Sequence, residues 1–246
     1  MLSKSQLSFI KSLQQKKYRK EHSLFVVEGI KSITEFLQFD YEVDTVYCLA
    51  DVRSNLAKFS RNVKLVEVST SDLERISGLS TPQKALALVR IPEKTAVQPK
   101  GLDRLTLLLD GIQDPGNLGT IIRTADWFGF KQLICSPDTV EPYNPKVVQA
   151  TMGSLSRVTM VQMDLAELIE NSRLPVYGAL LEGESIYETS WPDSGFILLG
   201  NEGHGIRPEL IRKISHPVTI PRFGQAESLN VAISAAIFCS EIKRNQ

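Results

Sequence analysis

Three stretches in the second half of the chain share one arrangement, an apolar run followed at once by a polar, turn-forming loop. They read LTLLLDGIQDPGNLGTIIRTADWFGF (residues 105–130), FILLGNEGHGI (196–206) and VTIPRFGQAESLNVAI (218–233). The apolar runs within them, of about four to eight residues, are typical of buried strands. Because α/β proteins bind ligands at the carboxyl ends of parallel strands, the pattern predicts an α/β fold in which three loops converge on one pocket.

The first stretch contains a polar loop followed by a predicted helix, and it has two polar candidates for function, Asn117 and Arg123. The residues that follow the loop have the spacing of a helix with one apolar face. Residues six apart do not share a helical face, so we expect Asn117 in the loop and Arg123 projecting from the helix. The alternative is that Asn117 caps the helix and Arg123 is a solvated charge, since asparagine is a preferred cap.

The second and third loops supply further polar candidates. Asn201 and Glu202 follow the second apolar run, and the third loop opens a helix with Ser228, Leu229 and Asn230. A simple helix cap at Ser228 is the alternative to a role in catalysis. The sequence has no GxGxxG after a strand, no P-loop and no GxSxG elbow. A dinucleotide site of the Rossmann type is therefore not indicated, and neither is a P-loop or an α/β-hydrolase site.

The last predicted helix, residues 229–242, is apolar almost all round and rich in alanine. A helix of this kind is buried on more than one side. In a chain of 246 residues, a subunit interface is a natural second side, so the helix predicts a homodimer.

Charge is unevenly distributed, although the chain has 28 Lys and Arg against 28 Asp and Glu. Residues 1–100 hold 16 basic and 11 acidic side chains, and residues 101–246 hold 12 and 17, which gives +5 and −5. A short basic helix is predicted over residues 3–17, and Arg19 and Lys20 follow it before a strand. Because phosphate contacts dominate nucleic-acid affinity, we expect the N-terminal part to face RNA. The alternative is a solvated helix with a chance excess of lysine.

Residues 91–104, IPEKTAVQPKGLDR, mix proline, glycine and charges without periodicity, as linkers do. Predicted strands and helices alternate before this segment and after it, which is typical of α/β domains. The sequence therefore predicts an RNA substrate-binding domain over residues 1–95 and a catalytic domain over residues 96–246.

The three cysteines, Cys48, Cys135 and Cys239, are far apart, and each sits in or beside an apolar run. We expect buried, reduced thiols and a cytoplasmic protein. No Cys or His pair has the spacing of metal ligands, so no metal site is expected. No apolar run reaches the roughly 18 residues of a membrane helix, and the N-terminus does not resemble a signal peptide.

The segments NLGTIIRTADWFG, LLGNEGHGI and IPRFGQAESLNVAISAAI resemble the three motifs of the SpoU (TrmH-like) RNA ribose 2'-O-methyltransferases of the SPOUT class. The segment KYRKEHSLFVVEGIKSITEFL resembles, less specifically, the start of the small L30e-like substrate-binding domain that precedes many of these catalytic domains. The resemblance implies a small N-terminal α/β domain followed by a parallel sheet with a deep trefoil knot. It also implies that S-adenosylmethionine (SAM) binds among the knotted loops of a homodimer.

The resemblance assigns roles to individual residues. The candidates for catalysis are Asn117, Arg123, Glu202, Ser228 and Asn230. The candidates for cofactor contacts are Leu180, Gly200, Ile220 and Leu229, and those for RNA contacts are Arg19, Lys20 and Arg222. Arg123 of one subunit is expected to reach the SAM pocket of the other, either as a base or to orient groups and stabilise charge. The second role is favoured because a guanidinium is not deprotonated in proteins.

Two further positions bear on the local chemistry. The family commonly has Met after Ile-Pro in the third motif, whereas this chain has Arg222, which adds a cation beside the cofactor loop. His204 lies between two glycines, and we expect an exposed turn residue rather than a general base.

The sequence therefore predicts a SAM-dependent 2'-O-ribose methyltransferase that acts on rRNA or tRNA. One alternative is an RNA-binding protein of the same fold without catalysis. The other is a different α/β enzyme that uses a nucleotide.

Overall fold

The computed structural model of the chain describes residues 2–59, 63–92, 102 and 104–245. Contacts divide the chain into two compact units, Met1–Glu93 with Glu141–Arg157 and Lys94–Val140 with Val158–Gln246. Most of the predicted linker, residues 91–104, lies outside the described residues. The division at residue 95 stays a prediction, and no sequence pattern indicated that residues 141–157 would join the first unit.

Helices and strands alternate in both units. The helices are α1 (Lys4–Ser12), α2 (Lys16–His22), α3 (Ile30–Gln38), α4 (Ala50–Ala57), α5 (Thr70–Ile76), α6 (Pro115–Trp127), α7 (Pro145–Thr151), α8 (Leu165–Ser172), α9 (Pro208–Ile211) and α10 (Val231–Arg244). The strands are β1 (Leu24–Glu28), β2 (Val43–Cys48), β3 (Lys64–Glu67), β4 (Ala85–Arg90), β5 (Leu105–Leu109), β6 (Gln132–Cys135), β7 (Thr159–Gln162), β8 (Val176–Ser185), β9 (Gly195–Leu199) and β10 (His216–Thr219).

The first unit is built on a four-stranded sheet in the order β1-β4-β2-β3. Strand β4 is antiparallel to β1 and β2, whereas β3 is parallel to β2. All five residues of β1 are buried. The ring of Phe25 in β1 meets that of Phe36 in α3 edge-on, with 5.6 Å between the ring centroids. The unit is therefore a mixed α/β structure with its core between the sheet and its helices.

Two helices replace the single basic helix predicted over residues 3–17. Helix α1 ends at Ser12, and the chain turns at residues 13–15, where Leu13 is fully buried. Helix α2 then contains Arg19 and Lys20, which the sequence pattern placed in the approach to a strand. The lysines continue through both helices, so the local charge pattern does not reveal the turn between them.

Residues 141–157, which follow β6 in the chain and precede β7, pack in the first unit. Helix α7 lies against β1, and the ring centroid of Tyr143 is 4.8 Å from that of Phe25. Arg157 forms an ion pair with Glu35, 122 positions earlier. The core of the first unit is thus completed by a segment that is distant in sequence.

The second unit is built on a six-stranded sheet in the order β10-β8-β9-β5-β6-β7, in which each neighbouring pair is parallel. This confirms the predicted parallel sheet. All residues of β5 and β9 are buried, as expected for central strands that are covered on both faces. Strand β8 extends beyond the apolar run at residues 175–180, because its polar end pairs with β10.

No helix among the residues that the structure describes is long and apolar enough to cross a membrane. Over the same residues, no group of three or more His, Cys, Asp or Glu side chains is placed to hold a metal ion. Cys48, Cys135 and Cys239 are buried and form no disulfide. Burial raises the pKa of the Cys135 and Cys239 thiols to about 12, so both thiols stay protonated at neutral pH.

Candidate active site

The candidate site lies where strands of the second sheet end. Strands β5 and β9 are parallel neighbours, so Asp110 and Gly200, which directly follow them, leave the sheet at the same edge. Strand β10 runs in the same direction and continues into the loop of residues 220–230. This carboxyl edge is the usual ligand-binding edge of a parallel sheet.

Helix α6 begins earlier than the sequence suggested. Its cap is Asp114, whose carboxylate accepts a 2.8 Å hydrogen bond from the backbone N–H of Asn117. Asn117 therefore lies in the first helical turn, and the expected positions in the loop or at the cap are both wrong. Pro115 explains the start, because proline at the first helical position has the right φ and needs no N–H partner.

Three candidate residues form one hydrogen-bonded row, which we call the polar chain: Asn230, Asn117 and Glu202. The Asn230 Nδ2 group donates to Asn117 Oδ1 at 2.9 Å. The Asn117 Nδ2 group donates to Glu202 Oε1 at 2.5 Å. The structure thus brings together one residue from each of the three predicted loops.

The polar chain has a fixed direction. Asn230 caps α10, and its Oδ1 accepts from the backbone N–H groups of Ala232 and Ile233 at 2.9 and 3.3 Å. Its amide nitrogen must therefore point toward Asn117. A carboxylate only accepts hydrogen bonds, so Glu202 draws the amide nitrogen of Asn117 toward itself. Both asparagine amides consequently have one favoured orientation, which is set by the helix at one end and the negative charge at the other.

Ser228 lies outside the polar chain, in the exposed loop that precedes α10. The cap of α10 is Asn230, so the alternative that Ser228 caps this helix is wrong. Asparagine directly before the helix suits that role, because its side-chain oxygen reaches the first free amides. The catalytic role of Ser228 stays a prediction.

Arg123 is exposed on α6, as the sequence predicts. It lies six residues after Asn117, so it leaves the helix roughly 120° round the axis and about 9 Å further along it. The two side chains therefore leave the same helix in different directions. Arg123 is placed to serve a surface that Asn117 does not face.

The second loop is a tight turn in which Asn201 and Gly205 form an antiparallel bridge. Gly200 has no room for a side chain, because a Cβ there would lie 2.3 Å from backbone atoms of Gly205 and Ile206. The close approach that requires this glycine is therefore internal to the turn.

Asn201 also organises the tip of this turn. Its Oδ1 accepts from the backbone N–H groups of Gly203 and His204 at 2.8 and 3.2 Å. Glu202 consequently sits on a braced turn even though it is exposed. His204 is exposed as well, as expected for a turn residue.

Asp110 and Arg207 belong to this edge, although the sequence analysis did not single them out. Asp110 is only 1% exposed. The backbone N–H and the Nε of Arg207 donate to its carboxylate at 2.8 and 2.7 Å. Hydrogen bonding to Asp110 is the main cause that raises the pKa of Arg207. The sequence does show a carboxylate directly after an apolar strand, which could have marked Asp110 as a candidate. It does not show that Arg207, 97 positions later, is the partner of this carboxylate.

The sequence model of the SpoU rRNA Methylase family matches residues 104–240, which is 137 of the 246 residues. The chain belongs to the SpoU rRNA methylase family. An MRM3-like substrate binding domain matches residues 4–87. These matches confirm the resemblance that the three motifs carry.

Individual relatives of this SpoU protein match it over nearly its whole length. It is 30% identical over 237 residues to the 23S rRNA (guanosine(2553)-2'-O)-methyltransferase RlmP of Bacillus subtilis, covering 95% of this chain and 94% of that one. A solved TrmH-family protein from Porphyromonas gingivalis has a TM-score of 0.88 at 39% identity over the full length of both chains. A SAM-bound rRNA methyltransferase from Sinorhizobium meliloti has a TM-score of 0.88 at 28% identity, covering 99% and 96%.

The expected cofactor residues lie in the second unit, either in β8 beyond the part paired with β9 or after the carboxyl ends of β9 and β10. Leu180 is partly buried against the core, and Ile220 directly follows β10 and is partly buried. Leu229 is 49% exposed. Together with the glycine turn that begins at Gly200, they offer apolar side chains beside backbone donors and acceptors. This set of groups suits an adenine and its ribose, so the residues present fit SAM.

The three expected RNA contacts differ in exposure. Lys20 and Arg222 are exposed. Arg19 is 2% exposed, and its guanidinium pairs with Glu141 and donates to the Leu13 carbonyl at 2.8 Å. Because an enclosed guanidinium does not reach a phosphate, this geometry argues against the predicted RNA contact of Arg19 and assigns it to packing.

Proposed function

We propose that this protein is a SAM-dependent methyltransferase that modifies a ribose 2'-hydroxyl of rRNA. The observation that carries the proposal is the polar chain, built from all three SpoU motifs at the ligand-binding edge of a parallel sheet. Two relatives support rRNA over tRNA, the 23S rRNA (guanosine(2553)-2'-O)-methyltransferase of Bacillus subtilis and the 23S rRNA (uridine(2479)-2'-O)-methyltransferase of Streptomyces viridochromogenes.

In this proposal Leu180, Gly200, Ile220 and Leu229 hold SAM, through backbone groups of the turn and loop and through apolar side chains. SAM bound there supplies a methyl group activated by a sulfonium. Arg222 lies on the same loop and is exposed, so its cation can hold a phosphate of the RNA next to the cofactor.

The residues of the site mainly position and stabilise. Holding the ribose oxygen in line with the methyl group removes much of the entropic barrier to transfer. Arg123 stays protonated, so it orients the hydroxyl or an adjoining phosphate, and the hydroxyl proton leaves to water or phosphate. Glu202 orients Asn117, and Asn230 links this pair to the start of α10.

The active form in this proposal is a homodimer with shared sites. An apolar groove of ≈ 420 Å³ runs along the outer side of α10, lined by Phe128, Tyr187, Ile233 and Ile237 among others. Ile233 and Tyr187 are 51% and 55% exposed in the single chain. Exposed apolar surface of this kind favours association, and two-fold symmetry would place the same loops of both chains together.

The second sheet is also proposed to carry the deep trefoil knot of the SPOUT class. The resemblance to the SPOUT class carries this proposal, and in the sheet the chain passes from β8 to β9 and then returns to the other side of β8 as β10. Pulling single molecules from both ends tests it, since a knotted chain stays shorter than its contour length. An unfolded chain that reaches full contour length has no knot.

The buried, unpaired thiols support a cytoplasmic location, where cysteines stay reduced. Cell fractionation tests this, and recovery outside the cytoplasm would overturn it.

Two outcomes separate the enzyme from the alternative of an RNA-binding protein without catalysis. Mapping 2'-O-methylation across total RNA, with and without this protein, is expected to show one or a few rRNA riboses that lose their methyl group. An unchanged methylation map, together with retained RNA binding, would support the non-catalytic alternative. The presence of Asn117, Glu202 and Asn230 in one bonded row argues against that alternative.

SAM binding is expected to need no metal ion. The motivation is the set of apolar and backbone groups around the second and third loops, which contains no ligand cluster among the described residues. Calorimetry with SAM, with and without a chelator, should give the same affinity, and NAD should give no heat of binding. Chelator-sensitive SAM binding contradicts the first expectation, and NAD binding would favour a different nucleotide-using enzyme.

RNA binding is expected to depend on the exposed lysines of α2. Changing both Lys17 and Lys20, which are exposed, to Gln should weaken binding of single-stranded rRNA fragments. The slope of log K against log salt should fall in magnitude by about 1.4, since each phosphate contact contributes roughly 0.7 for single strands. The matched control changes Lys58 and Lys64, exposed elsewhere in the same unit. Equal effects of the two pairs would mean that α2 has no special role.

A further inference from the structure

The loop from Asn201 to Arg207 carries Glu202, and it is tied at both ends to the two residues that follow β5. At its start, Asn201 Nδ2 donates to the carbonyl of Gly111 at 2.7 Å. At its end, Arg207 meets the Asp110 carboxylate with its backbone N–H at 2.8 Å, its Nε at 2.7 Å and a terminal guanidinium nitrogen at 2.6 Å.

The Asp110 end of this attachment is buried, whereas the Arg207 side chain is 41% exposed. Two other carboxylates also face the guanidinium, Asp138 at 3.9 Å and Glu209 at 3.6 Å. Burying a carboxylate costs folding free energy unless its oxygens accept hydrogen bonds. A buried ion pair is weak evidence for added stability, so we infer a role in position instead. Here both oxygens of Asp110 accept bonds from one residue, which fixes where the loop ends.

Glu202 needs such a fixed loop because nothing encloses its side chain. It is exposed, yet its Oε1 lies 2.5 Å from Asn117 Nδ2. A misplacement of about 1 Å in a catalytic arrangement can lower a rate by about 100-fold. Attachment at Gly111 and Asp110 holds the loop on the same edge from which α6 and Asn117 begin.

We propose that Asp110 and Arg207 are positioning residues for methyl transfer, which act by holding the loop that presents Glu202 to Asn117. The inference rests on the proposed function, because that function assigns Glu202 and Asn117 to the active site. Asp110 acts through the loop and through Arg207.

The substitution that tests this is Asp110→Asn, which preserves the shape of the side chain. Asparagine has one acceptor oxygen in place of two, so at least one bond from Arg207 is replaced by two N–H groups that face each other. We expect kcat to fall by about 10- to 100-fold, while the KM for RNA and the Kd for SAM change by less than about threefold. Amide hydrogen exchange of Gly203 and His204 should become faster, because the turn is released at one end.

A double-mutant cycle with Glu202→Ala, which removes the acceptor of the Asn117 bond, separates positioning from a general effect on the fold. If Asp110 acts through Glu202, Asp110→Asn should lower kcat by less than about threefold further in the Glu202→Ala background. The same loss in both backgrounds would overturn the proposal. The matched control is Glu209→Gln, which removes a carboxylate near the same guanidinium but leaves the loop attached. Wild-type kcat is expected for this control, and a fall equal to that of Asp110→Asn would also overturn the proposal.

A second variant covers the case in which Asp110→Asn does not fold. Arg207→Lys keeps the charge and the backbone N–H bond to Asp110 but has a single side-chain nitrogen. Its kcat should fall by about tenfold and show the same non-additivity with Glu202→Ala; additive losses would overturn the proposal. A wild-type protein without methyltransferase activity would refute the proposed function, whereas an active wild type with additive double variants refutes only this inference.

Discussion

Methyl transfer is expected to return when two inactive variants, Arg123→Ala and Asn230→Asp, are combined in one dimer. Each variant alone should lose about 10²- to 10³-fold in kcat, the usual effect of removing one group that stabilises a transition state. The expectation rests on the proposed homodimer, in which Arg123 is proposed to reach the partner's site, and the different directions in which Arg123 and Asn117 leave α6 support it.

The choice of aspartate at position 230 keeps the fold while it breaks the polar chain. Aspartate is as good a helix cap as asparagine, so the start of α10 and the apolar groove beside it should be unchanged. A carboxylate cannot donate to Asn117 Oδ1, so the bond of 2.9 Å is lost. Loss of activity in this variant therefore reports the loss of the bond to Asn117 and not a loss of the cap of α10.

The two variants are co-expressed with different affinity tags, and the heterodimer is purified over both. If sites are shared, one of its two sites has Arg123 from one subunit and Asn230 from the other, so about half of the wild-type activity returns when sites are independent. The matched control combines Asn117→Ala with Asn230→Asp. These residues touch within one chain, so every site in that heterodimer lacks one of them, and no activity should return. An inactive Arg123→Ala/Asn230→Asp heterodimer that still binds SAM would rule out the shared site.

Arg19→Ala is expected to destabilise the protein by about 3 to 5 kcal/mol, because it leaves the Glu141 carboxylate without its buried partner. The side chains of Arg19 and Glu141 are 3% and 12% exposed. Lys20→Ala is the matched control on the same helix. Lys20 is exposed, and surface changes of this kind usually alter stability by about 0.5 kcal/mol or less.

Denaturant unfolding, followed by RNA binding at fixed salt, distinguishes the two roles. Arg19→Ala should lower the unfolding midpoint strongly, whereas Lys20→Ala should weaken RNA binding without a change in midpoint. Replacing the pair together, with Arg19→Met and Glu141→Leu, should recover most of the lost stability, since apolar residues of similar volume often replace a buried ion pair without loss. Equal midpoints for Arg19→Ala and Lys20→Ala would show that the buried pair contributes nothing.

The strands and the loops of the site were predictable because their signals are local. Strands β5 and β9 are uninterrupted apolar runs, and such runs are buried in a parallel sheet whatever surrounds them. Asn117, Glu202 and Asn230 each follow one of the strands that end at the same edge. Parallel strands bring such residues together without any information about side-chain contacts.

The helix starts were harder to predict, because several residues near each start can cap a helix. Asp114 and Asn117 both suit that role, and so do Ser228 and Asn230. In the structure Pro115 takes the first helical position, which leaves Asp114 as the cap. Cap propensity ranks such candidates almost equally, and at α6 the proline decides between them.

The ion pairs could not be predicted, because their partners are far apart in sequence. Arg19 and Glu141 are 122 positions apart, and Asp110 and Arg207 are 97 apart. In the sequence, a basic residue beside other basic residues has the pattern of a solvent-exposed side chain, unless the acidic residue that pairs with it in the fold is known. The expectation that Arg19 contacts RNA rested on the family resemblance and on the basic residues around it, and neither of these reveals Glu141.

The membership of residues 141–157 in the first unit also sets an order on folding during translation. Domains usually fold one after another as the nascent chain leaves the ribosome, the N-terminal one first. Here a nascent chain of the first hundred or so residues still lacks α7, the ring of Tyr143 beside Phe25 and the acid that pairs with Arg19. Closing loops of this length is entropically unfavourable and slow. The newly made first unit therefore waits, with part of β1 uncovered, until residues 141–157, which follow β6, have been synthesised, so its folding depends on a part of the chain that is made after the second unit has begun.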